Sequence, residues 1–177
     1  MLFTQIRQPD TDYLALPKVS SERRKYIPIA YVEKNIVGSD LIYTIPDATP
    51  YLFGVLTSNV HMAWTRVVCG RLKSDYRYGP VVYNSFPWPT PTDAQRQKIE
   101  QTAQAILDAR ALYPDASLAD LYDELTMPPE LRKAHQANDR AVMEAYGIKK
   151  GDAAYSSESA CVAMLMKMYQ ELTAQKG

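Results

Sequence analysis

Closely spaced prolines in the middle of the chain set the strongest limit on how this sequence can fold. Within the stretch YGPVVYNSFPWPTPTD they are Pro80, Pro87, Pro89 and Pro91. Each proline removes a backbone N–H and fixes φ, and it pushes the preceding residue out of the helical region. We therefore predict an extended, non-helical link here, which crosses the surface and divides the chain into units of residues 1–90 and 91–177.

The second unit is predicted to be entirely helical. Thr92 and Gln95 have the spacing of a capping box, which marks a helix start, and Gly147 is a natural helix end. Apolar side chains then recur at intervals of three and four, the period of an amphipathic helix. The residues expected to form the core of this unit are Ile106, Leu107, Val142, Leu165 and Tyr169.

The first unit has a mixed pattern. The segments DYLALPKV, YIPIAYV and SDLIYTIPD read as short strands, and SSERRKY between the first two reads as a polar turn. The segment ATPYLFGVLTSNVHMAWTRVVCG changes to helical periodicity, with a break at TSN. The whole chain is therefore predicted to be α+β: a small mixed α/β unit followed by an all-helical unit.

Composition excludes several classes of protein. Of 177 residues, 46% are hydrophobic, which is typical of a globular chain, and no apolar run reaches the roughly 18 residues that span a bilayer. No secretory signal pattern is present, so Cys69 and Cys161 are expected to be free thiols in the cytoplasm. Residues 1–92 carry ten basic and seven acidic side chains, net +3, which favours this half for contact with a polyanion.

Charged residues alternate along the stretch GRLKSDYR. Arg71, Lys73, Asp75 and Arg77 occupy every second position, so in one extended strand they would share a face. A Lys donor suits the acceptors O6 and N7 of guanine, and an Asp acceptor suits the N4 amine of cytosine. The sequence alone leaves two interpretations open, a base-reading surface and a surface ion pair between Lys73 and Asp75.

Other candidate chemistry is weaker. His61, Ser74 and Asp75 supply the residue types of a hydrolytic triad, but no nucleophile elbow accompanies them, so a partly buried, hydrogen-bonded His61 is favoured. The acidic residues Asp120, Asp123 and Glu124 are most simply a solvated helix face rather than a metal site. No catalytic and no metal site is expected in this chain.

The turn SSERRKY is a candidate phosphate-binding segment. It brings hydroxyl and cationic side chains together, and both suit phosphate oxygens. The alternative is a solvated basic turn. The residues concerned are Ser21, Arg23, Arg24 and Lys25.

Four long strings carry a resemblance to a known family. They are RRKYIPIAYV, YLFGVLTSNVHMAWTRVVCGRLKSDYRY, VVYNSFPWP and LYDELTMPPELRKAHQANDRAV. Together they closely resemble the C-terminal end of MmeI-like, type IIL restriction-modification proteins, over nearly the whole chain. The parts they resemble are the target recognition domain and the helical C-terminal region, so the chain is expected to be a piece of a longer polypeptide.

The resemblance implies specific roles. In this family the positions of Lys73 and Asp75 vary with one base of the DNA target, and Arg77 works with a residue near Leu41 on another. Contacts to the DNA backbone are expected from Ser21, Arg23, Arg24, Lys25, Arg71 and Ser74. Adenine-N6 methylation and cleavage, with S-adenosylmethionine and Mg²⁺, are expected from upstream domains of the full-length enzyme. The alternative function is an adaptor that docks the methyltransferase domain without reading bases.

Overall fold

Two small antiparallel sheets make up the strand content of residues 8–174. The computed structural model describes residues 8–174. Within that range the strands are β1 (Tyr13–Pro17), β2 (Val19–Ser20), β3 (Ala30–Val32), β4 (Ile42–Pro46), β5 (Gly70–Leu72) and β6 (Asp75–Arg77). One sheet has the order β3-β1-β4 and the other β2-β6-β5. Of the predicted strand YIPIAYV, only the last part, β3, is a strand.

A single segment of chain joins the two sheets. Strand β1 lies at the centre of the first sheet, and β2 follows it directly as an edge of the second. Between them, the N–H of Lys18 donates to the carbonyl of Leu41 (2.9 Å), and the carbonyl of Lys18 accepts from the N–H of Tyr78 (2.9 Å). The two sheets are therefore held in a fixed relation through the backbone of Lys18.

Helices make up most of the remainder. The described residues form α1 (Pro50–Leu56), α2 (Asn59–Val68), α3 (Pro80–Asn84), α4 (Asp93–Ala111), α5 (Leu118–Leu121), α6 (Pro129–Ala145), α7 (Ala153–Ser156) and α8 (Glu158–Ala174). The α+β class predicted from the sequence is confirmed. No helix within residues 8–174 combines the length and the apolar character needed to cross a bilayer.

Local sequence signals fix several helix ends, and the predicted break at TSN, capping box at Thr92 and helix stop at Gly147 are confirmed. Pro50 occupies the first turn of α1, and the side chain of Ser58 caps α2 after the break at TSN. Thr92 and Gln95 form the reciprocal capping box of α4. Gly147, with φ of +76°, follows the end of α6 in the left-handed conformation that glycine adopts without strain.

The core runs without a break from the first unit into the second. Helix α4 packs against both α6 and α1, and the contact with α1 is close at Gly54. A Cβ at Gly54 would lie 2.7 Å from Cγ2 of Ile99 and 3.1 Å from Cβ of Ala103. Ile99, Ala103 and Ile106 are fully buried beneath this contact. The absence of a side chain at Gly54 is therefore what lets the two units approach.

Two expectations about the proline-rich stretch are wrong. Pro80 begins helix α3 instead of preventing it, because a proline in the first helical turn loses no intrahelical hydrogen bond. Pro87 and Pro89 are buried, so the link does not simply cross the surface. Phe86 packs edge-on against His61, with ring centroids 4.9 Å apart, and fixes this link on α2.

The predicted core of the helical unit is correct in part. Ile106, Val142 and Leu165 are fully buried. Leu107 is only half-buried, and Tyr169 remains 37% exposed, with its ring centroid 5.8 Å from that of Trp64. Helix α8 contacts the rest of the molecule over a narrow face, so its outer residues stay in solvent.

Candidate nucleic-acid interface

The alternating charged stretch forms a β-hairpin rather than one extended strand. Leu72 pairs with Asp75, so the chain reverses through the two residues Lys73 and Ser74. Lys73 has φ of +56°, the left-handed region that non-glycine residues rarely occupy. The expectation of a single extended run is therefore wrong, and Lys73 projects from the tip of a hairpin.

The hairpin also separates Arg71 from the other charged residues. Arg71 pairs with Tyr76, whereas Asp75 pairs with Leu72, so these two pairs lie on opposite faces of the sheet. Tyr76 is buried, and the guanidinium of Arg71 stacks over its ring at 4.1 Å. The same guanidinium donates to the carbonyl of Ser74 (2.8 Å). Arg71 thus closes the turn from the inner side, and the prediction that it shares a face with Asp75 and Arg77 is wrong.

Three charged side chains of the hairpin have no partner within residues 8–174. Lys73 and Arg77 are exposed and Asp75 is half-exposed. Within this described part, none of the three takes part in an ion pair or a side-chain hydrogen bond. The ion pair between Lys73 and Asp75, which the sequence left open, does not form. Two cations and one anion are therefore free to bind a ligand.

Leu41 lies near Arg77, across the segment that joins the sheets. Its carbonyl accepts from the N–H of Lys18 on one side of that segment, while Val19 pairs with Arg77 on the other side. Neighbouring strands are about 4.8 Å apart, which separates the two backbones by about 10 Å. The side chain of Leu41 is 71% exposed. Leu41 and Arg77 therefore lie on opposite sides of the segment that joins the sheets and do not form one contact.

The basic turn follows β2 directly and is tied to the hairpin. The carbonyl of Ser21 accepts from the N–H of Arg24 (3.1 Å), which closes the turn. Glu22 lies within the turn, and its carboxylate is 3.6 Å from the guanidinium of Arg71. Arg23 is exposed and Arg24 is half-buried. Sequence reasoning missed Glu22, although an acidic residue inside a basic turn is a signal for a specific ion pair.

Lys25 faces a different part of the molecule. Its ammonium group lies 5.6 Å from the ring centroid of Tyr26, and the residue lines a cavity of about 270 Å³ together with Arg66 and Glu158. Arg66 donates to the backbone carbonyl of Lys25 (3.4 Å) and pairs with Glu158 at the start of α8. The structure thus does not gather all the predicted phosphate-binding residues at the hairpin.

The residue types of a hydrolytic triad are not assembled. His61 is fully buried, with Nδ1 2.7 Å from the carbonyl of Leu56 and Nε2 3.1 Å from the hydroxyl of Tyr78. Burial lowers the pKa of His61 to about 4, so the ring is neutral, with Nδ1 donating and Nε2 accepting. Ser74 and Asp75 lie on the outer hairpin. The hydrogen bonding predicted for His61 is confirmed, and the ring is buried completely rather than partly.

Asp120 lies in α5, but Asp123 and Glu124 follow its end in a turn, so the three acidic residues are exposed as expected but do not form one helix face. Asp120 completes a capping box with Ser117, and the carboxylate of Asp123 accepts from the N–H of Leu125 (2.9 Å). Among residues 8–174, no three metal-ligating side chains converge on one point.

A buried carboxylate joins the base of the basic turn to the helical unit. Asp139 of α6 accepts from the hydroxyl of Tyr26 (2.6 Å) and from the N–H of Asn59 (2.8 Å). Burial raises the pKa of Asp139 to about 6, while both hydrogen bonds favour its charged form.

A second polar chain lies beside Asp139. His135 stacks on Tyr26, with ring centroids 4.2 Å apart, and its Nε2 is 2.6 Å from the hydroxyl of Tyr122. Arg110 donates to that hydroxyl and to the carbonyl of Ile29 (2.8 Å). Burial and the charge of Arg110 hold the pKa of His135 well below its usual value. We call this set, with Asp139 and Asn59, the polar joint.

Comparison with known proteins adds independent information. Residues 1–90 match the family model described as the target recognition domain of MmeI, and residues 91–176 match that of the MmeI C-terminal domain. The chain is 42% identical over 165 residues to DNA methyltransferase A of Bacillus subtilis (strain 168). It also superposes, with a TM-score of 0.91 and 50% identity, on the type IIL restriction-modification enzyme MmeI solved in complex with DNA.

The matched region is a small part of each relative. The alignment covers 92% of this chain but 18% of the Bacillus subtilis protein, and the superposition covers 98% of this chain but 23% of the MmeI chain. The similarity is therefore nearly complete for this chain and is confined to one region of much longer proteins.

Proposed function

The chain belongs to the MmeI family, through both its target recognition and its C-terminal domain, and we propose that it reads a specific double-stranded DNA sequence for a restriction-modification enzyme. The observation that carries this proposal is the hairpin tip, where Lys73, Asp75 and Arg77 have no partner among the described residues. Residues 1–90 act as the recognition unit, and residues 91–177 support it through the packing of α4 against α1.

Lys73 and Asp75 read one G·C pair. A two-stranded ribbon fits the major groove, which is about 12 Å wide. Lys73 projects from the tip and offers only donors, which suit O6 and N7 of guanine; ionised Asp75 offers only acceptors, which suit the N4 amine of cytosine. Because the two residues are two positions apart across a tight turn, they can address both bases of one pair.

Arg77 and Leu41 read a second base pair. Arg77 lies on the same outer face as Asp75, and Leu41 is exposed on the far side of Lys18. Their separation of about two strand spacings exceeds the rise of one base pair, about 3.4 Å. We therefore propose that the two side chains reach the same base pair from different positions, Arg77 from the hairpin and Leu41 from the far side of Lys18.

Contacts to phosphates position the hairpin. Arg23 and Arg24 in the basic turn are tied to the hairpin through Glu22 and are proposed to bind phosphate oxygens with Ser21 and Ser74. Arg71 contributes by holding the turn, and its exposed edge is proposed to contact phosphates of the same DNA strand backbone. Lys25, which lines the cavity with Arg66, is proposed to contact phosphate farther along the duplex.

The chemistry of modification belongs, in this proposal, to the rest of a longer polypeptide. Both relatives extend far beyond the matched region. We assign adenine-N6 methylation and cleavage to upstream domains in the cytoplasm, with S-adenosylmethionine as methyl donor and Mg²⁺ for cleavage. The partners of this chain are then double-stranded DNA and the upstream methyltransferase domain.

A charge exchange tests base reading. In the full-length protein, Lys73→Glu with Asp75→Arg should shift the preference at one position of the methylated site toward the reversed pair, leaving the other positions unchanged. The readout is sequencing of methylated sites. The matched control exchanges the charges of the Lys98–Glu144 pair on the α4–α6 surface and should leave the site unaltered. An unchanged site in the hairpin variant, or loosening at all positions together, would overturn the proposal.

One observation favours the adaptor function as a second candidate. Ile36 and Val37, in the loop between β3 and β4, are 53% and 81% exposed. Exposed apolar neighbours on a loop suit a protein contact. If Ile36→Ser with Val37→Ser abolishes methylation at every site while the hairpin exchange has no effect on the site, this chain docks the methyltransferase domain and does not read bases.

A further inference from the structure

The outer face of the hairpin sheet carries an apolar side chain that the base-reading scheme does not use. Leu72 is 50% exposed, and it is not among the residues that pack on the hydrophobic core. It belongs to β5, the edge strand of the sheet β2-β6-β5. The fold thus places a leucine in solvent, between two residues that are proposed to contact DNA.

Strand register fixes the neighbours of Leu72. It lies directly opposite Asp75 on the outer face of the sheet. The next row of residues on that face contains Val19, Arg77 and Gly70. Cross-strand neighbours of this kind have Cβ atoms about 4.5–5.5 Å apart. A Cβ at Gly70 would meet only the carbonyl oxygen of Arg77, at 4.0 Å, so this side of the row is open. The side chain of Leu72 therefore extends outward beside the carboxylate of Asp75, and no side chain from Gly70 covers it.

The chemistry of a pyrimidine edge matches this pair of side chains. In the major groove a cytosine presents its N4 amine, and the adjacent ring position is C5, the position that carries the methyl group in thymine. A side chain about 5 Å from a carboxylate that accepts from N4 is close enough to reach the C5 edge of the same base. Apolar side chains make favourable contacts with a methyl group at this position.

We propose that Leu72 covers the C5 edge of the cytosine whose amine Asp75 accepts, and that the protein thereby senses C5 methylation of its target. This inference rests on the proposed function. Asp75 selects cytosine over thymine, because thymine presents an acceptor, O4, where cytosine presents a donor. Leu72 adds sensitivity to the C5 substituent, which hydrogen bonding to N4 does not detect.

The test compares duplexes that differ by one methyl group. The charge exchange at Lys73 and Asp75 identifies the G·C position, and 5-methylcytosine is then placed there in an otherwise unmodified site. We expect the full-length protein to bind the methylated duplex about three- to fivefold more tightly, the gain for burying one methyl group. In Leu72→Ala the two duplexes should bind equally. Each ratio is taken within one variant, so a change in folding or general affinity cancels.

The control and the contrary outcomes are well defined. Leu112→Ala removes a leucine that is 64% exposed at the end of α4, and it should keep the wild-type ratio. An unchanged or weakened affinity for the methylated duplex, or a gain that survives in Leu72→Ala, would overturn the proposal. A scrambled duplex distinguishes the two levels of inference. If it binds as well as the unmodified site, base reading itself fails; if the site is preferred but methylation has no effect, only the role of Leu72 fails.

Discussion

The polar joint and the hairpin tip use charged side chains in opposite ways. In the joint, Asp139 accepts from Tyr26 and Asn59, and Arg110 donates to Tyr122, so buried charge is matched by hydrogen bonds. At the tip, Asp75 and its neighbours point outward without partners among the described residues. Hydrogen-bonded charged groups stabilise a fold, whereas exposed charged groups without partners keep their hydrogen-bonding capacity for a ligand. Changes in the two regions should therefore affect different properties, stability in the first and DNA specificity in the second.

The largest effect should come from the core beside the joint. Ile106→Ala removes a fully buried side chain of α4 and should lower the free energy of unfolding by about 2–5 kcal/mol, measured by urea denaturation. Leu107→Ala, one position along and half-buried, should cost clearly less. Equal losses would show that this face of α4 is not the one that packs.

Acid should destabilise the protein through its buried histidines. His61 has a folded-state pKa of about 4 and an unfolded value near 6.5, so the unfolded state binds the extra proton between these two pH values. Stability should fall as the pH drops through this window, by about 3 kcal/mol from His61. His135 acts in the same direction. Urea unfolding at a series of pH values measures the sum.

A variant isolates the contribution of His61 from that of Asp139. Asp139 has a raised pKa of about 6, so the folded state binds its proton more readily, and stability due to Asp139 falls as the pH rises between about 4 and 6. It therefore opposes the histidines. His61→Asn can still donate to the carbonyl of Leu56, and its stability should be flatter with pH in this window. An unaltered slope of stability against pH would show that His61 is not the source of the destabilisation in acid.

The joint itself should matter somewhat less than the core. Asp139→Ala leaves the hydroxyl of Tyr26 and the N–H of Asn59 without an acceptor and should cost about 1–3 kcal/mol. Asp139→Asn retains one acceptor oxygen and should cost less. If folded, both variants should methylate the same sites as the wild type. A changed site in either variant would break the separation between joint and tip.

Much of the fold was predictable because local rules decide it. The caps at Ser58 and Thr92, the break between α1 and α2, and the helical period after residue 92 all depend on neighbours in sequence. Helix α3 was missed because proline was treated as a helix breaker, although Pro80 occupies a first turn where its lost N–H has no cost.

The site was predictable in composition but not in geometry. Alternation of charges along the stretch from Arg71 to Arg77 suggested one strand, because no glycine or asparagine marks a turn at Lys73. Only strand pairing shows that Arg71 faces inward, stacked on Tyr76. The contacts of Asp139 with Tyr26 and Asn59 join residues 113 and 80 positions apart, which periodicity within one element cannot reveal.

The smallest effect on stability should coincide with the sharpest effect on specificity, at Lys73. Its backbone has φ of +56°, which costs a non-glycine residue roughly 1 kcal/mol, so Lys73→Gly should leave the fold as stable as before or slightly more stable. The variant loses the ammonium donor, and discrimination at one G·C position should fall by about 1–3 kcal/mol. Asp47→Gly is the matched control, since Asp47 also has φ of +56° and lies at the end of β4. It should change stability in the same way and leave the methylated site unaltered. If Lys73→Gly kept its discrimination at this base pair, the left-handed conformation of Lys73 would be a feature of the turn alone. The hairpin tip would then not differ from the polar joint in its effect on DNA specificity.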